Sequence, residues 1–310
     1  MRIMFMGTPD IASIVLERLV REGHDIISVV TGEDKPRRRG GAMLPTPVKR
    51  TATELGIPVL TPSKLTDEDF LSELDRLSPD LIVVVAFGKM LRKRVLDAPP
   101  YGCINLHVSL LPKYRGAAPM QRAIMSGDDK TGVTIMYMNE GLDTGDIIAT
   151  EEFAISESDD FEAIHDRSAE LGSVLLSNTV TDIFAERITR TKQDDSLATY
   201  AKKVEKEDCK IDFSMNAERL DCIIRGVTPI PGAFAYLNGK MLKINRARPV
   251  KGTGACGEVI DLDDKGDGAI TVACGEGALR ITSVIPEGKG RMSAGDFIRG
   301  RKIKLGDILN

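Results

Sequence analysis

The residues that build metal sites and covalent staples are scarce in this chain. Its three histidines, His24, His107 and His165, form no ligand cluster, and its five cysteines (Cys103, Cys209, Cys222, Cys256 and Cys274) are scattered without a CxxC pair. Neither zinc nor any other metal is expected, and no disulfide framework. The opening MRIMFMGTPD carries one basic residue and a short apolar run, too little for the core of a signal peptide and far too little to cross a bilayer. A cytoplasmic protein without membrane contact is therefore expected. Gly7-Thr8-Pro9 lacks the GxGxxG spacing and no Walker lysine follows it, which argues against a dinucleotide or a nucleoside triphosphate. A tight strand-to-helix turn is the simpler reading there, although a helix N-terminus at that point could still hold an anion.

What the chain has is material for two cores. Its 310 residues exceed the usual single domain, 42% are hydrophobic, and the 28% that are charged are well mixed, so neither disorder nor a fibrous repeat is indicated. The net charge of −4 argues against nonspecific binding to nucleic acid. The charge is unevenly placed, however: from Lys206 onward 17 Lys and Arg face 14 Asp and Glu, so the tail carries +3 and the remainder −7. Two solvated surfaces account for that difference, and so does a polyanion touching the tail.

Along the chain, RIMFM, the turn at Gly7 to Asp10 and IASIVLERLVREG read as strand, loop and helix, with Ile11, Ile14, Val15, Leu19 and Val20 at helical spacing. DIISVV completes a βαβ unit of the kind that builds parallel sheets. Further strands are expected at 81 to 88, 103 to 111 and 132 to 138, with helices at 63 to 77, 118 to 126 and 160 to 187. Residues 1–189 thus read as a doubly wound, mostly parallel, Rossmann-like α/β domain. The polar stretch 190–208 reads as a linker. From 209 to 310 a short helix (Asn216 to Arg225) precedes about six short strands, including a hairpin turned at Asn238-Gly239, and these predict a small closed, OB-like β-barrel.

One pattern stands out as chemistry. Asn105 and His107 sit two apart on an otherwise apolar strand, so their side chains point to one face, where buried polar groups are costly unless they are satisfied or used. A lone buried histidine is more often structural than catalytic; the sequence that follows shifts the balance. SLLPKYRGAAP (109 to 119) is an extended loop, and EGLDTGDI places Asp143 between Gly141 and Gly145, where backbone can approach a ligand closely. A carboxylate beside an imidazole can orient it and hold a water. His24 and His165 are poor candidates: the first is expected as an exposed turn residue, the second as mid-helix among acidic neighbours.

Taken together, N-L-H, SLLPKYRGAAP and GLDTGDI resemble the family of formyltransferases that use formyltetrahydrofolate. The resemblance implies that Asn105, His107 and Asp143 are the catalytic trio. It also implies that Ser109, Leu110, Leu111 and Pro112 form the folate-binding signature and that 10-formyltetrahydrofolate is the formyl donor. A flat pterin needs backbone groups and apolar walls, for which Phe87, Gly88, Met90 and Leu91 are candidates beside Leu110 and Leu111.

Three further features resemble family members whose acceptor is methionyl-initiator tRNA, and the likeness spans nearly the whole chain. They are the MGTPD opening, the basic insertion DKPRRRGGAMLPTPVK (34 to 49) and the segment TYAKKVEKEDCKIDF (199 to 213). On this likeness Arg37, Arg38 and above all Arg39, with Lys206, would touch the acceptor stem, although a basic loop alone reads as a solvated one. A monomer is expected. The chain departs from the family pattern in having Lys-Tyr-Arg after SLLP and no tryptophan within TPIPG, both outside the trio. Because the trio acts on the common donor, it does not separate tRNA from glycinamide ribonucleotide or an amino sugar nucleotide as acceptor. A hydrolase releasing formate and a non-catalytic RNA-binding module are the other readings. The basic insertion and the barrel favour tRNA.

Overall fold

The computed structural model describes residues 1–36 and 43–310, and the chain divides into two compact units. The first comprises Met1–Pro119, Thr131–Phe153 and His165–Ala201; the second comprises Met120–Lys130, Ala154–Ile164 and Lys202–Asn310. Among the described residues no helix is long and apolar enough to cross a membrane.

The first unit is built on seven strands: β1 (Arg2–Gly7), β2 (Asp25–Val30), β3 (Val59–Leu60), β4 (Leu81–Val85), β5 (Cys103–His107), β6 (Lys130–Tyr137) and β7 (Ile147–Ala154). They lie in the order β7-β6-β5-β4-β1-β2-β3. Pairing is parallel from β3 across to β5 and antiparallel between β5 and β6, so the sheet is mixed. The reason for the parallel part is visible in the side chains. Every residue of LIVVV in β4 is buried, as a strand covered on both faces requires. The two covers are separate apolar clusters, one containing Phe5, Leu16, Val83, Ile104 and Leu106, the other Met4, Met6, Val84, Phe87 and Cys103. Alternation along β5 puts Ile104 and Leu106 into the first and Cys103, Asn105 and His107 on the side of the second.

The helix Asp10–Arg21 presents Ile11, Ala12, Val15, Leu16 and Leu19 to the core, while Ile14, which shares the apolar spacing in the sequence, is exposed. His24 departs from its expected place as an exposed turn residue. It is half-buried, its Nε2 lies 2.7 Å from Ser177 Oγ, and burial pushes its pKa below the ordinary imidazole value. Strand β7 and the short helix Ala294–Arg299 have no counterpart in the sequence reading: β7 is a half-exposed strand at the end of the sheet, without a clean alternation to betray it.

The second unit holds an antiparallel sheet of β8 (Ala233–Leu237), β9 (Lys240–Val250), β10 (Val259–Asp263), β11 (Ala269–Ala273), β12 (Ala278–Pro286) and β13 (Met292–Ser293), in the order β8-β9-β12-β11-β10 with β13 beside β12. The helix Ala217–Val227, capped by the Asn216 side chain on Arg219 N, buries Leu220, Ile224 and Val227 against it. The last residues bond to two different strands. Asn310 and Tyr236 exchange backbone hydrogen bonds at 3.0 and 2.7 Å, while Leu309 N donates to Gly257 O and Val259 N to Asp307 O, each at 2.8 Å.

Candidate active site

Asn105 and His107 are fixed by the sheet before any loop contributes. Asn105 is opposite Val84 in β4 and Met136 in β6, and His107 is opposite Thr134. Both are nearly buried, at 9% and 6% exposure, and the Asn105 amide has no hydrogen-bond partner among the described residues. The amide is not fully enclosed, so its donor and acceptor are open to water or to a ligand. Cys103, one alternation earlier, is no nucleophile: burial pushes its thiol up to about 12.

The imidazole of His107 is held from two sides. Its Nε2 is 3.0 Å from the Tyr114 carbonyl, and since a carbonyl only accepts, Nε2 carries a hydrogen and donates it. That leaves Nδ1 facing Asp143 Oδ2 at 3.7 Å, too long for a hydrogen bond but right for a charge interaction or one bridging water or substrate atom. Strand β6 runs against β5, so Tyr137 lies opposite Ile104, and the loop after it comes back along the sheet to deliver Asp143. Tyr114 and Asp143, the two residues that flank the imidazole, both hold left-handed backbones, φ 61 and φ 53. A tyrosine reaches that region only when its surroundings impose it, whereas an aspartate enters it at lower cost.

The surroundings can be named. Asp143 Oδ2 accepts from Gly116 N at 2.7 Å. Asn139 Oδ1 gathers the loop from within, accepting from Gly141 N at 2.9 Å and Thr144 Oγ1 at 2.8 Å. From behind, Gln193 Nε2 donates to the carbonyls of Asp143 (2.9 Å) and Gly145 (2.7 Å). Gly145 has no alternative, since a Cβ there would stand 1.6 Å from the Tyr137 carbonyl. On the other side of the ring, Tyr114 N donates to Thr199 Oγ1 at 2.8 Å.

The loop beginning at Ser109 is fastened by its own polar groups. Ser109 is fully buried and its hydroxyl donates to Lys113 O at 2.7 Å, so it shapes the loop rather than facing solvent. Thr134 Oγ1 donates to Ser109 O and accepts from Leu111 N, tying the loop to β6 beside His107. Leu111 precedes a cis peptide to Pro112 and is buried; Leu110 is half-buried. Past the end of β4, Phe87 and Leu91 belong to the apolar cluster under Asn105, while Gly88 and Met90 are exposed. Lys206 lies in the second unit, exposed, with its ammonium 5.7 Å from the Phe234 ring centre. Arg37, Arg38 and Arg39 lie outside the described residues, so the structure gives them no position. The base of their insertion is described: Lys35–Pro36 pairs with Met43–Leu44, and Lys49 is bound to Asp34 at 2.8 Å. Among the described residues no group of three or more His, Cys, Asp or Glu could hold a metal ion.

Sequence reasoning missed Gln193, Arg115, Asn139 and Thr134. Nothing in TKQDD marks Gln193 as buried, and the polar run around it reads as a linker. Arg115 alone carried a hint, an arginine inside the motif KYRGAAP.

Residues 1–180 match the family described as formyl transferase, and residues 203–302 match its C-terminal domain. Along the whole chain the likeness is high. The methionyl-tRNA formyltransferase of Citrifermentans bemidjiense is 45% identical, covering 100% of this chain and 96% of its own length. That of Syntrophus aciditrophicus is 47% identical over 99% of this chain and 98% of its own. Among solved structures, an N-formyltransferase from Helicobacter canadensis in complex with folinic acid and dTDP-3-aminofucose superposes with a TM-score of 0.67 at 18% identity, over 90% of this chain and 98% of that one. HypX from Aquifex aeolicus in complex with tetrahydrofolic acid gives 0.67 at 19% identity over 98% of this chain and 48% of that one. These two show a shared fold; the whole-length identities show more, and on them the chain belongs to the methionyl-tRNA formyltransferase family.

Proposed function

We infer that the protein transfers the formyl group of 10-formyltetrahydrofolate to the free amino group of methionyl-initiator tRNA, for the initiation of translation. The observation that carries this reading is the 42–47% identity, over nearly the entire chain, to methionyl-tRNA formyltransferases. The geometry around His107 supplies the chemistry. In the proposed mechanism the methionine α-amine attacks the formyl carbon, a carbon–nitrogen bond forms and the carbonyl oxygen becomes an oxyanion. Asn105 donates its uncommitted amide hydrogen to that oxygen. His107, with Nε2 committed to Tyr114, takes up or gives a proton at Nδ1, and the Asp143 carboxylate stabilises the charge that this creates and can hold a water between them. Collapse breaks the bond to the folate nitrogen, which receives the proton the amine has lost. No step calls for a metal.

For the donor, Phe87, Leu91, Leu110 and Leu111 are the proposed apolar walls, with Gly88, Met90, Ser109 and Pro112 shaping the entrance. For the acceptor, Arg37, Arg38, Arg39 and Lys206 are the proposed phosphate contacts, which makes binding fall with salt as counterions are released. The second unit is proposed to be a closed, OB-like barrel: the pairing of residues 307–310 with both Tyr236 and Gly257–Val259 joins the two edges of its sheet and supports that reading. Residues 1–189 then carry the chemistry and 209–310 the tRNA-binding surface, with the protein acting as a monomer in the cytoplasm. Incubation with formyltetrahydrofolate and charged initiator tRNA, with glycinamide ribonucleotide in parallel, tests the whole. Formylmethionine on the tRNA is the expected product; formylation of the ribonucleotide alone would overturn the assignment.

A further inference from the structure

We propose that Gln193 is a positioning residue for the transfer reaction, acting through Asp143; the proposal rests on the function inferred above. Gln193 comes from a polar stretch 50 residues beyond the loop it serves and is 6% exposed. Its amide has two main tasks, beside a longer contact of its nitrogen with Met136 Sδ at 3.9 Å. The nitrogen donates to the carbonyls on either side of Thr144, those of Asp143 and Gly145, and the oxygen accepts from Arg115 Nε at 3.1 Å and Nη2 at 2.8 Å. Arg115 is itself 2% exposed, and its Nη2 also reaches Asp195 Oδ1 at 2.7 Å. A buried guanidinium has little freedom, so it orients the Gln193 amide with nitrogen toward the loop.

The arrangement makes one closed circuit around the imidazole. Arg115 lies between Tyr114, whose carbonyl receives the His107 Nε2 hydrogen, and Gly116, whose N–H binds Asp143 Oδ2. Its side chain then grips Gln193, which grips the backbone of Asp143. The two groups that hold His107 are thus fastened to each other by a route independent of β5. Without that grip the backbone of Asp143 is free to shift, and a carboxylate displaced by about 1 Å loses much of its hold on a charge in the transition state, on the order of a hundredfold in rate.

The test uses three variants in the full chain. Gln193→Leu keeps the volume and removes both tasks; Gln193→Glu keeps the acceptor for Arg115 and removes the donors to the loop. Both are expected to lower kcat for formyl transfer about a hundredfold while KM for each substrate stays within about twofold. Added to Asp143→Ala, Gln193→Leu is expected to cost nothing more, since a residue acting through Asp143 has nothing left to position. Amide hydrogen exchange at Gly116 supplies a readout that needs no turnover: it is expected to accelerate in both Gln193 variants, as its acceptor moves away. Unchanged Gly116 exchange, full activity in Gln193→Glu, or losses that simply add to those of Asp143→Ala would overturn the proposal. Absence of formyl transfer by the unaltered protein would instead overturn the functional reading and leave the exchange result to decide the role of Gln193.

Discussion

Asn238 and Asp143 hold nearly the same left-handed backbone, φ 51 and φ 53, for opposite reasons. Asn238 turns the hairpin between β8 and β9, where Leu237 pairs with Lys240 and Gly239 follows at φ 75. The turn is exposed, and its two residues are the ones that tolerate positive φ at little cost. Asp143 tolerates positive φ as well, but no hairpin turn calls for it there. Its conformation is imposed by Gly116, Asn139 and Gln193, residues 27, 4 and 50 positions away, and the result is a carboxylate aimed at His107. The first left-handed residue closes a turn; the second holds a carboxylate where the proposed transfer step would use it. A conformation set by neighbours in sequence can be lost cheaply, whereas one set by distant side chains fails together with the site.

Four substitutions sharpen or break that contrast. The largest effect is expected for Asp143→Ala, with formyl transfer falling on the order of a thousandfold while the thermal unfolding curve stays close to that of the unaltered protein. An equal loss of stability would make Asp143 a structural residue like Asn238. Next comes Gly145→Ala, whose Cβ would collide with the Tyr137 carbonyl; urea unfolding is expected to report a destabilisation of about 3 kcal/mol or more, with transfer abolished alongside. Asn105→Ala removes the proposed oxyanion donor and is expected to lower kcat about a hundredfold, near 3 kcal/mol of transition-state stabilisation, while the dissociation constant for the folate changes little. Equal loss of both would place Asn105 in substrate binding. The smallest effect is expected at the hairpin. A Cβ on Gly239 meets nothing within 4 Å, so Gly239→Ala should cost only the strain of its positive φ, about 1 kcal/mol by urea unfolding, with kcat unchanged.

The same contrast explains what could be read in the sequence. Asn238-Gly239 was legible because the signal and the structure sit in the same four residues. β4 was legible because LIVVV is a run that only a doubly covered strand explains, and Asn105 and His107 shared a face by the two-residue period of β5 alone. Asp143 became legible only through resemblance to a family, since spacing along the chain says nothing about a loop that folds back over a sheet. Gln193 was illegible: a glutamine among Thr, Lys and Asp carries the composition of a linker, and its burial follows from Arg115, 78 positions earlier. β7 escaped because neither of its faces is fully covered, so it lacks the alternation that marks a strand with one buried face.

The central claim is that the charge of Asp143, held opposite His107, drives transfer. It is tested most directly by the single-turnover rate of formyl transfer to methionyl-initiator tRNA in Asp143→Asn. Asparagine tolerates the left-handed backbone and retains an oxygen for Gly116 N, so the charge is removed while that hydrogen bond can stay. A rate lowered on the order of a thousandfold, with the Gly116 amide still protected from exchange, is the expected result. A rate equal to that of the unaltered protein would contradict the claim.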